Sequence, residues 1–400
     1  MTETPDAANG APRKPLEGVR VLDLATFIAA PYSATILGEF GAEVIKIEHP
    51  NGGDPMRQFG TETAAEGRTL SWLSEARNKH SVTLDFKSAE DVEIFKALVR
   101  RTDVIAENFR PGTLEKWGIG PDVLMALNPR LVLLRISGYG QTGPYRDRPG
   151  FARIAHAVGG LTYLAGEPGG PPVTPGSTSL ADYISGLYGA LGVMLALRSV
   201  DQTGRGQVID VALFESIFRM LDELAPAYAA GGVVREREGL ATRNVCPHGH
   251  FPCADDNWVA IACTSDRMWE RMATNVLKRP DLAHSHPKTA DRLADRATIE
   301  GHVRAFTEAH PMHDVVRLCT EGDVPCGPIN SIADIFDDPH FAARGILKTL
   351  TDEALGDIVV PDTLPRLSET PGETRHLGPP LGDWDDYVKT ELINDDSELR

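Results

Sequence analysis

Val19-Arg20-Val21-Leu22-Asp23-Leu24 and Glu43-Val44-Ile45-Lys46-Ile47-Glu48 are the two stretches on which the reading of the fold turns. Each is a short apolar run bounded by turn residues, the pattern of a buried strand. Between them, residues 31–40 read as a helix, with Pro31 suited to its first turn and Gly41 ending it. The same alternation continues downstream. Strands are predicted at 81–86, Val104–Glu107 and 131–136, with helices at 90–101 and Pro121–Leu127 between them. Strands separated by helices of this length predict a parallel sheet with right-handed crossovers.

Beyond residue 158 the composition changes. Gly159, Gly160, Gly166, Gly169, Gly170 and Gly176 interleave with Pro168, Pro171, Pro172 and Pro175, a loop composition that lets backbone approach a ligand. A strong helix follows, with Ile184, Leu187, Tyr188, Leu191 and Leu195 at helical spacing, then a polar turn at 202–206 and a strand at 207–213. The expected organisation is a loose tail at 1–14, a large α/β domain at 15–214 and a linker at 215–239. A small domain then spans 240–322, a second linker 323–340, and residues 341–400 return to the large domain. There is no internal repeat.

The chain has 400 residues, 42% of them apolar and 24% charged, values that exclude a disordered or fibrous polypeptide. Forty basic against 57 acidic residues leave a net charge of −17, which repels polyphosphate backbones and argues against nucleic acid as a partner. No stretch approaches ~20 uninterrupted apolar residues, so no membrane span is expected. Five cysteines, an odd number in a long chain, do not make a disulfide framework and point to a reducing cytoplasm.

Four motifs bear on chemistry. Gly138-Tyr139-Gly140-Gln141-Thr142-Gly143 matches a dinucleotide fingerprint, but Pro144 and Pro149 follow where a helix would have to open. Cys246, His248, His250 and Cys253 invite a zinc reading, yet C-x-H-x-H-x-x-C is not a usual structural spacing, and no metal site is expected. Ser179-Leu180-Ala181-Asp182 fits a capping box at the start of the long helix, and the same position suits a carboxylate nucleophile kept ionised by the helix dipole. These residues alone do not separate cap from nucleophile. The G-x-S-x-G, H-E-x-x-H and P-loop patterns are absent, which removes the best support for serine hydrolase, zincin and P-loop phosphotransferase readings.

Pro15–Leu24 and Leu37–Glu48, continuing through Gly53-Asp54, Arg77-Asn78-Lys79, Glu107-Asn108-Phe109-Arg110-Pro111-Gly112, 137–144 and Thr203-Gly204-Arg205-Gly206-Gln207, resemble the class III CoA-transferases. This is the CaiB/BaiF group of formyl-CoA and carnitine CoA-transferases, and the resemblance covers roughly residues 15–385. It implies a Rossmann-like parallel-sheet domain, a smaller α+β domain and an interlocked, ring-like dimer, either of identical chains or of paralogues. Asp182 occupies the position of the family's nucleophile, which forms an anhydride and then an aspartyl-CoA thioester. Coenzyme A would then enter as a substrate, with no prosthetic group. The resemblance places Leu84, Lys87, Asn108, Phe109, Lys116, Tyr139 and His49 on CoA-contact positions. It places backbone amides around His248, Gly249 and His250 as oxyanion donors, where the family often has a glycine-rich loop.

Ile28 stands where formyl-CoA transferases have a glutamine, which turns the expectation from oxalate and formate toward succinyl-CoA and a C4–C5 dicarboxylate. L-Malate or citramalate is favoured, with glutarate, itaconate, mesaconate and benzylsuccinate also open. Arg57, Arg153, His156 and His250 are the expected partners of the distal carboxylate. Two alternatives accompany this reading. An α-methylacyl-CoA racemase shares the fold, but its proton-carrying histidine aligns with Phe151. A non-catalytic partner subunit would be expected to lack the nucleophile, and Asp182 is present.

Overall fold

The computed structural model describes residues 13–394. Most of the expected tail, 1–12, lies outside the described residues. Among the described residues two compact units emerge: one comprises 13–161, Gly176–Asp222 and 342–394, the other Thr162–Pro175 and Glu223–Phe341.

In the first unit six strands form one parallel sheet: β1 (Arg20–Asp23), β2 (Glu43–Glu48), β3 (Lys79–Thr83), β4 (Val104–Glu107), β5 (Val132–Ser137) and β6 (Gln207–Ala212). Their spatial order is β3-β2-β1-β4-β5-β6, a doubly wound arrangement whose direction of winding reverses between β1 and β4. The runs that form β1, β2, β4 and β5 are buried on both faces, whereas β6 at the edge is largely exposed. One face packs Val21, Val44, Val104, Val132 and Leu134 under the helices Ala29–Glu39 and Leu180–Thr203. The other packs Leu22, Ile45, Ile105 and Leu133 under Ala89–Val99 and Pro121–Leu127.

The 24-residue helix Leu180–Thr203 is long and apolar enough by length and composition to cross a bilayer, although Asp182, Arg198 and Asp201 interrupt it. Its inner face is nonetheless packed in the core. Gly186 allows the approach, since a Cβ there would sit 2.7 Å from the Ala29 carbonyl, and the Ser33 hydroxyl donates to the Gly186 carbonyl at 2.8 Å. Its outer face leaves Leu187, Leu191 and Leu195 exposed.

The chain returns to this unit after residue 341. The antiparallel hairpin β10 (Leu347–Asp352) and β11 (Gly356–Pro361) rests on Leu73, and the following segment runs along the free edge of β3. There the Asp383 carboxylate accepts the Ser81 amide, and the Asp385 carboxylate accepts the Thr83 amide at 2.6 Å and the Thr83 hydroxyl at 2.5 Å. Side-chain oxygens thus occupy the places of a missing neighbour strand's carbonyls.

The second unit holds a three-stranded antiparallel sheet, β7 (His248–Pro252), β8 (Trp258–Ala262) and β9 (Cys326–Pro328), backed by helices that include Arg296–Glu308 and Met312–Glu321. All five cysteines lie in this unit and are unpaired, four of them buried in its core. The segments expected as linkers differ from a simple connector. Residues 215–239 contribute the helix Leu224–Gly231, and 323–340 contribute β9 and the helix Ile332–Asp337. The glycine-proline stretch Thr162–Pro175 falls with the second unit, because the Gly239 amide bonds the Gly166 carbonyl at 3.1 Å and Tyr163 bonds Glu236 at 2.6 Å.

Candidate active site

The loop leaving β1 crosses the carboxyl ends of the strands at the reversal point between β1 and β4, where open α/β sheets bind ligands. Asn108, just past β4, clamps it: its Oδ1 accepts the Thr26 amide at 2.9 Å and its amide donates to the Thr26 carbonyl at 2.7 Å. Asp54 holds the next residue, accepting the Phe27 amide at 3.0 Å. Phe27 has φ of 61°, a left-handed conformation costing roughly 1–3 kcal/mol for a bulky residue, so the clamps on either side maintain it.

A buried ionic cluster supports the loop from below. Lys46 meets Asp54 at 2.9 Å and Asp23 at 3.6 Å, and Lys79 meets Asp23 at 2.8 Å. Burial alone would lower the Lys46 pKa, but Asp23, Asp54 and Glu48 more than offset it and leave it raised. At Lys79 burial prevails and the pKa is lowered.

Asp182 sits in the first turn of Leu180–Thr203, half-buried. The expected capping box does not form. Ser179 makes no side-chain cap bond, and the Asp182 amide goes to the Ser179 carbonyl at 2.9 Å. The Ala181 amide is taken instead by His156 Nε2 at 3.0 Å. Tyr183, the next residue, packs edge-on against Tyr32 at 5.0 Å. The Asp182 carboxylate therefore has no hydrogen-bond or ionic partner among the described residues, and burial pushes its pKa from 3.8 up to about 7.

Asp182 lines a cleft of about 210 Å³ with Thr26, Ile28, Asn108, Ser137 and Phe151. A second cleft of about 190 Å³ shares Thr26 and Phe109 with it and continues over Leu84, His49 and Lys87. Of the residues expected at a CoA site, Asn108 and Phe109 line the first cleft, and Leu84, Lys87, His49 and again Phe109 line the second. Lys116 is exposed and lines neither, and Tyr139 packs between Tyr145 and Phe214 while its neighbour Gly138 reaches the cleft.

The expected carboxylate partners are corrected more heavily. Arg57 is buried and all three of its nitrogens already donate, to Glu48 at 2.8 and 2.7 Å and to the Pro379 and Gly67 carbonyls, while its guanidinium stacks 3.8 Å over Trp72. It has no face left for a substrate. His156 is 2% exposed and spent on the Ala181 amide, and Arg153 is exposed on the helix Ala152–Val158 outside both cleft linings. His248, Gly249 and His250 lie on β7 in the second unit, where the His250 amide donates to the Leu240 carbonyl and is not free to serve an oxyanion. Gly249 is required there because a Cβ would collide with that same carbonyl.

Three arginines that the sequence did not single out, Arg110, Arg146 and Arg148, line the Asp182 cleft, with Arg148 stacked 3.6 Å over Tyr145. Ser137 was also missed; its hydroxyl is buried and has no hydrogen-bond partner among the described residues. Phe86 and Trp117 stack at 5.0 Å beside Phe109 and give the second cleft aromatic walls. A lone arginine or serine carries no positional signal; only its place at a strand end, as with Ser137 closing β5, could have drawn attention to it.

A sequence profile described as CoA-transferase family III matches residues 16–385. The alpha subunit of succinyl-CoA–L-malate CoA-transferase from Chloroflexus aurantiacus is 54% identical over 97% of this chain and 91% of its own length. The beta subunit of that enzyme is 55% identical over 95% of this chain and 94% of its own. A crystal structure of a CaiB/BaiF family protein from Brucella suis superposes with a TM-score of 0.84 at 33% identity, covering 95% of this chain and all of that one. Profile, relatives and fold agree, and the chain belongs to CoA-transferase family III and is a class III CoA-transferase.

Proposed function

We propose that this enzyme moves CoA from succinyl-CoA to a C4–C5 dicarboxylic acid, L-malate or citramalate foremost, through covalent intermediates on Asp182. The observation that carries the mechanism is an unpartnered Asp182 carboxylate in a cleft that shares Thr26 and Phe109 with an aromatic-walled second cleft. The adenine and pantetheine of CoA fit the second cleft beside Phe86, Phe109 and Trp117, with Lys87 as a point charge for phosphate. The acyl group then reaches the first cleft. An Asp182 oxygen attacks the thioester carbon, the C–S bond breaks, and the thiolate leaves a mixed anhydride. Thiolate attack on the aspartyl carbonyl breaks the anhydride C–O bond, releases the donor acid and leaves an aspartyl-CoA thioester. The acceptor carboxylate reverses the sequence, so the thioester's free energy is conserved rather than lost to water. Ser137 is placed to donate to a developing oxyanion, a contribution of ~3 kcal/mol if well aimed.

The dicarboxylate reading is supported by the names of the two relatives and by Arg110, Arg146 and Arg148 around the cleft, cations for the carboxylate that does not react. Phe151 in that cleft cannot carry a proton, which disfavours racemisation. A dimer is proposed as well, of identical chains or of paralogues as the alpha and beta names suggest, since Leu187, Leu191 and Leu195 leave an apolar stripe uncovered. The unpaired cysteines support a reducing cytoplasm.

The test is chemical trapping. Wild-type enzyme incubated with succinyl-CoA and then hydroxylamine or borohydride is expected to carry an adduct at Asp182, and Asp182→Ala to lose acyl exchange while still binding CoA. Full turnover by Asp182→Ala eliminates the mechanism.

A further inference from the structure

We propose that His156 is the positioning residue of the nucleophile: it accepts the Ala181 amide through Nε2 and thereby leaves the Asp182 carboxylate free to face the cleft. The inference rests on the reading of Asp182 as nucleophile. A helix begins with amides that have no intrahelical acceptor, and an acidic residue in its first turn ordinarily turns back to satisfy one. Asp182 is such a residue, yet it makes no such bond.

The local backbone shows why. Ser179 has φ of −86° and ψ of 55°, away from the extended cap geometry, and its side chain caps nothing. Its carbonyl takes the Asp182 amide at 2.9 Å and the Tyr183 amide at 3.2 Å. The Ala181 amide goes at 3.0 Å to a side chain from a different helix, Ala152–Val158. With those three amides satisfied, the carboxylate has no reason to fold back onto the turn.

Only an unprotonated ring nitrogen accepts, so the imidazole must be neutral with its proton on Nδ1. The surroundings impose that state: His156 is 2% exposed, and burial, reinforced by the Arg153 charge, lowers its pKa. Nδ1 is buried without a hydrogen-bond partner among the described residues. A donor left unsatisfied in the interior is a cost that an apolar residue would avoid, and the acceptor at Nε2 is what this side chain supplies in return.

The experiment compares His156→Leu, which removes the acceptor, with His156→Gln, which offers an amide oxygen. His156→Leu is expected to lower kcat about 100-fold through misplacement of the nucleophile, with acyl-CoA KM within about twofold of wild type. His156→Gln is expected to recover most of kcat. An unchanged kcat in His156→Leu overturns the proposal, as does equal loss in both variants with KM raised in both. Should His156→Leu fail to fold, ¹⁵N NMR of histidine-labelled wild type, assigned by difference from His156→Gln, decides the matter: a proton on Nε2 refutes it. Trapping at Asp182 in the wild type is run alongside. If trapping fails, the nucleophile reading falls; if it succeeds and His156→Leu turns over normally, only the positioning role falls.

Discussion

Asp182→Asn should make the protein more stable while making it inactive, and the gain should depend on pH in a way set by one carboxylate. Burial raises the Asp182 pKa from 3.8 to about 7. At ~1.4 kcal/mol per unit, that is a penalty of about 4 kcal/mol on the ionised form. Between the two pKa values the folded protein retains a proton that the unfolded chain has released. Stability contributed by this group therefore falls as pH rises through that window, and the loss is complete above about pH 7. Asparagine does not titrate, so the variant escapes the loss. At ~2–4 °C per kcal/mol for a large domain, the melting temperature of Asp182→Asn should exceed wild type by roughly 8–16 °C at pH 8, with the difference shrinking toward pH 5. The same titration governs reactivity, because only the ionised form attacks: the ionised fraction rises from about a tenth at pH 6 to about nine-tenths at pH 8. Differential scanning fluorimetry of both proteins across this range, paired with hydroxylamine trapping rates, measures both consequences. A melting difference that stays constant with pH, or a trapping rate flat from pH 6 to 8, refutes the reasoning.

Two further outcomes follow from the geometry. Arg148→Gln should raise the KM of a dicarboxylic acceptor about 10-fold or more, the worth of a charge-assisted hydrogen bond, while leaving a monocarboxylate of equal length nearly unaffected, as read by initial rates. Asp54→Ala removes the nearest carboxylate of buried Lys46 and the acceptor of the Phe27 amide, and should cost about 3–5 kcal/mol in urea unfolding, whereas the exposed Lys96–Glu93 pair should cost under about 1 kcal/mol when broken.

The inner strands of the parallel sheet were readable because they are buried on both faces, so the apolar cores of β2 (Val44, Ile45 and Ile47) and β4 (Val104-Ile105-Ala106) stand out with the bounds the structure gives them. The place of Asp182 in a first helical turn was readable because the long apolar helix marks its own beginning, whereas its candidacy as nucleophile came only from the family resemblance. The supporting cast was not. Arg57 looked like a substrate clamp, and nothing local reveals that Glu48, nine residues earlier, closes around it from an adjacent strand end. His156 sits 25 residues from the amide it accepts, and that distance is bridged by the packing of two helices rather than by any pattern in the chain. Cap formation at Ser179 failed for the same reason, since a tertiary acceptor displaced a local one. The connectors were misjudged because β9, only three residues long, owes its existence to pairing with β8.

The carboxylates of Asp383 and Asp385 along β3 tie completion of the sheet to a segment 302 residues further along the chain. The edge they occupy leads directly into Leu84 and Lys87, on the wall of the aromatic-lined cleft. A nascent chain that has already emerged through β6 still carries an open flank there, ready to pair with any extended polypeptide nearby. A chain truncated before residue 383 would therefore expose an adhesive flank beside the cleft rather than a smaller working enzyme.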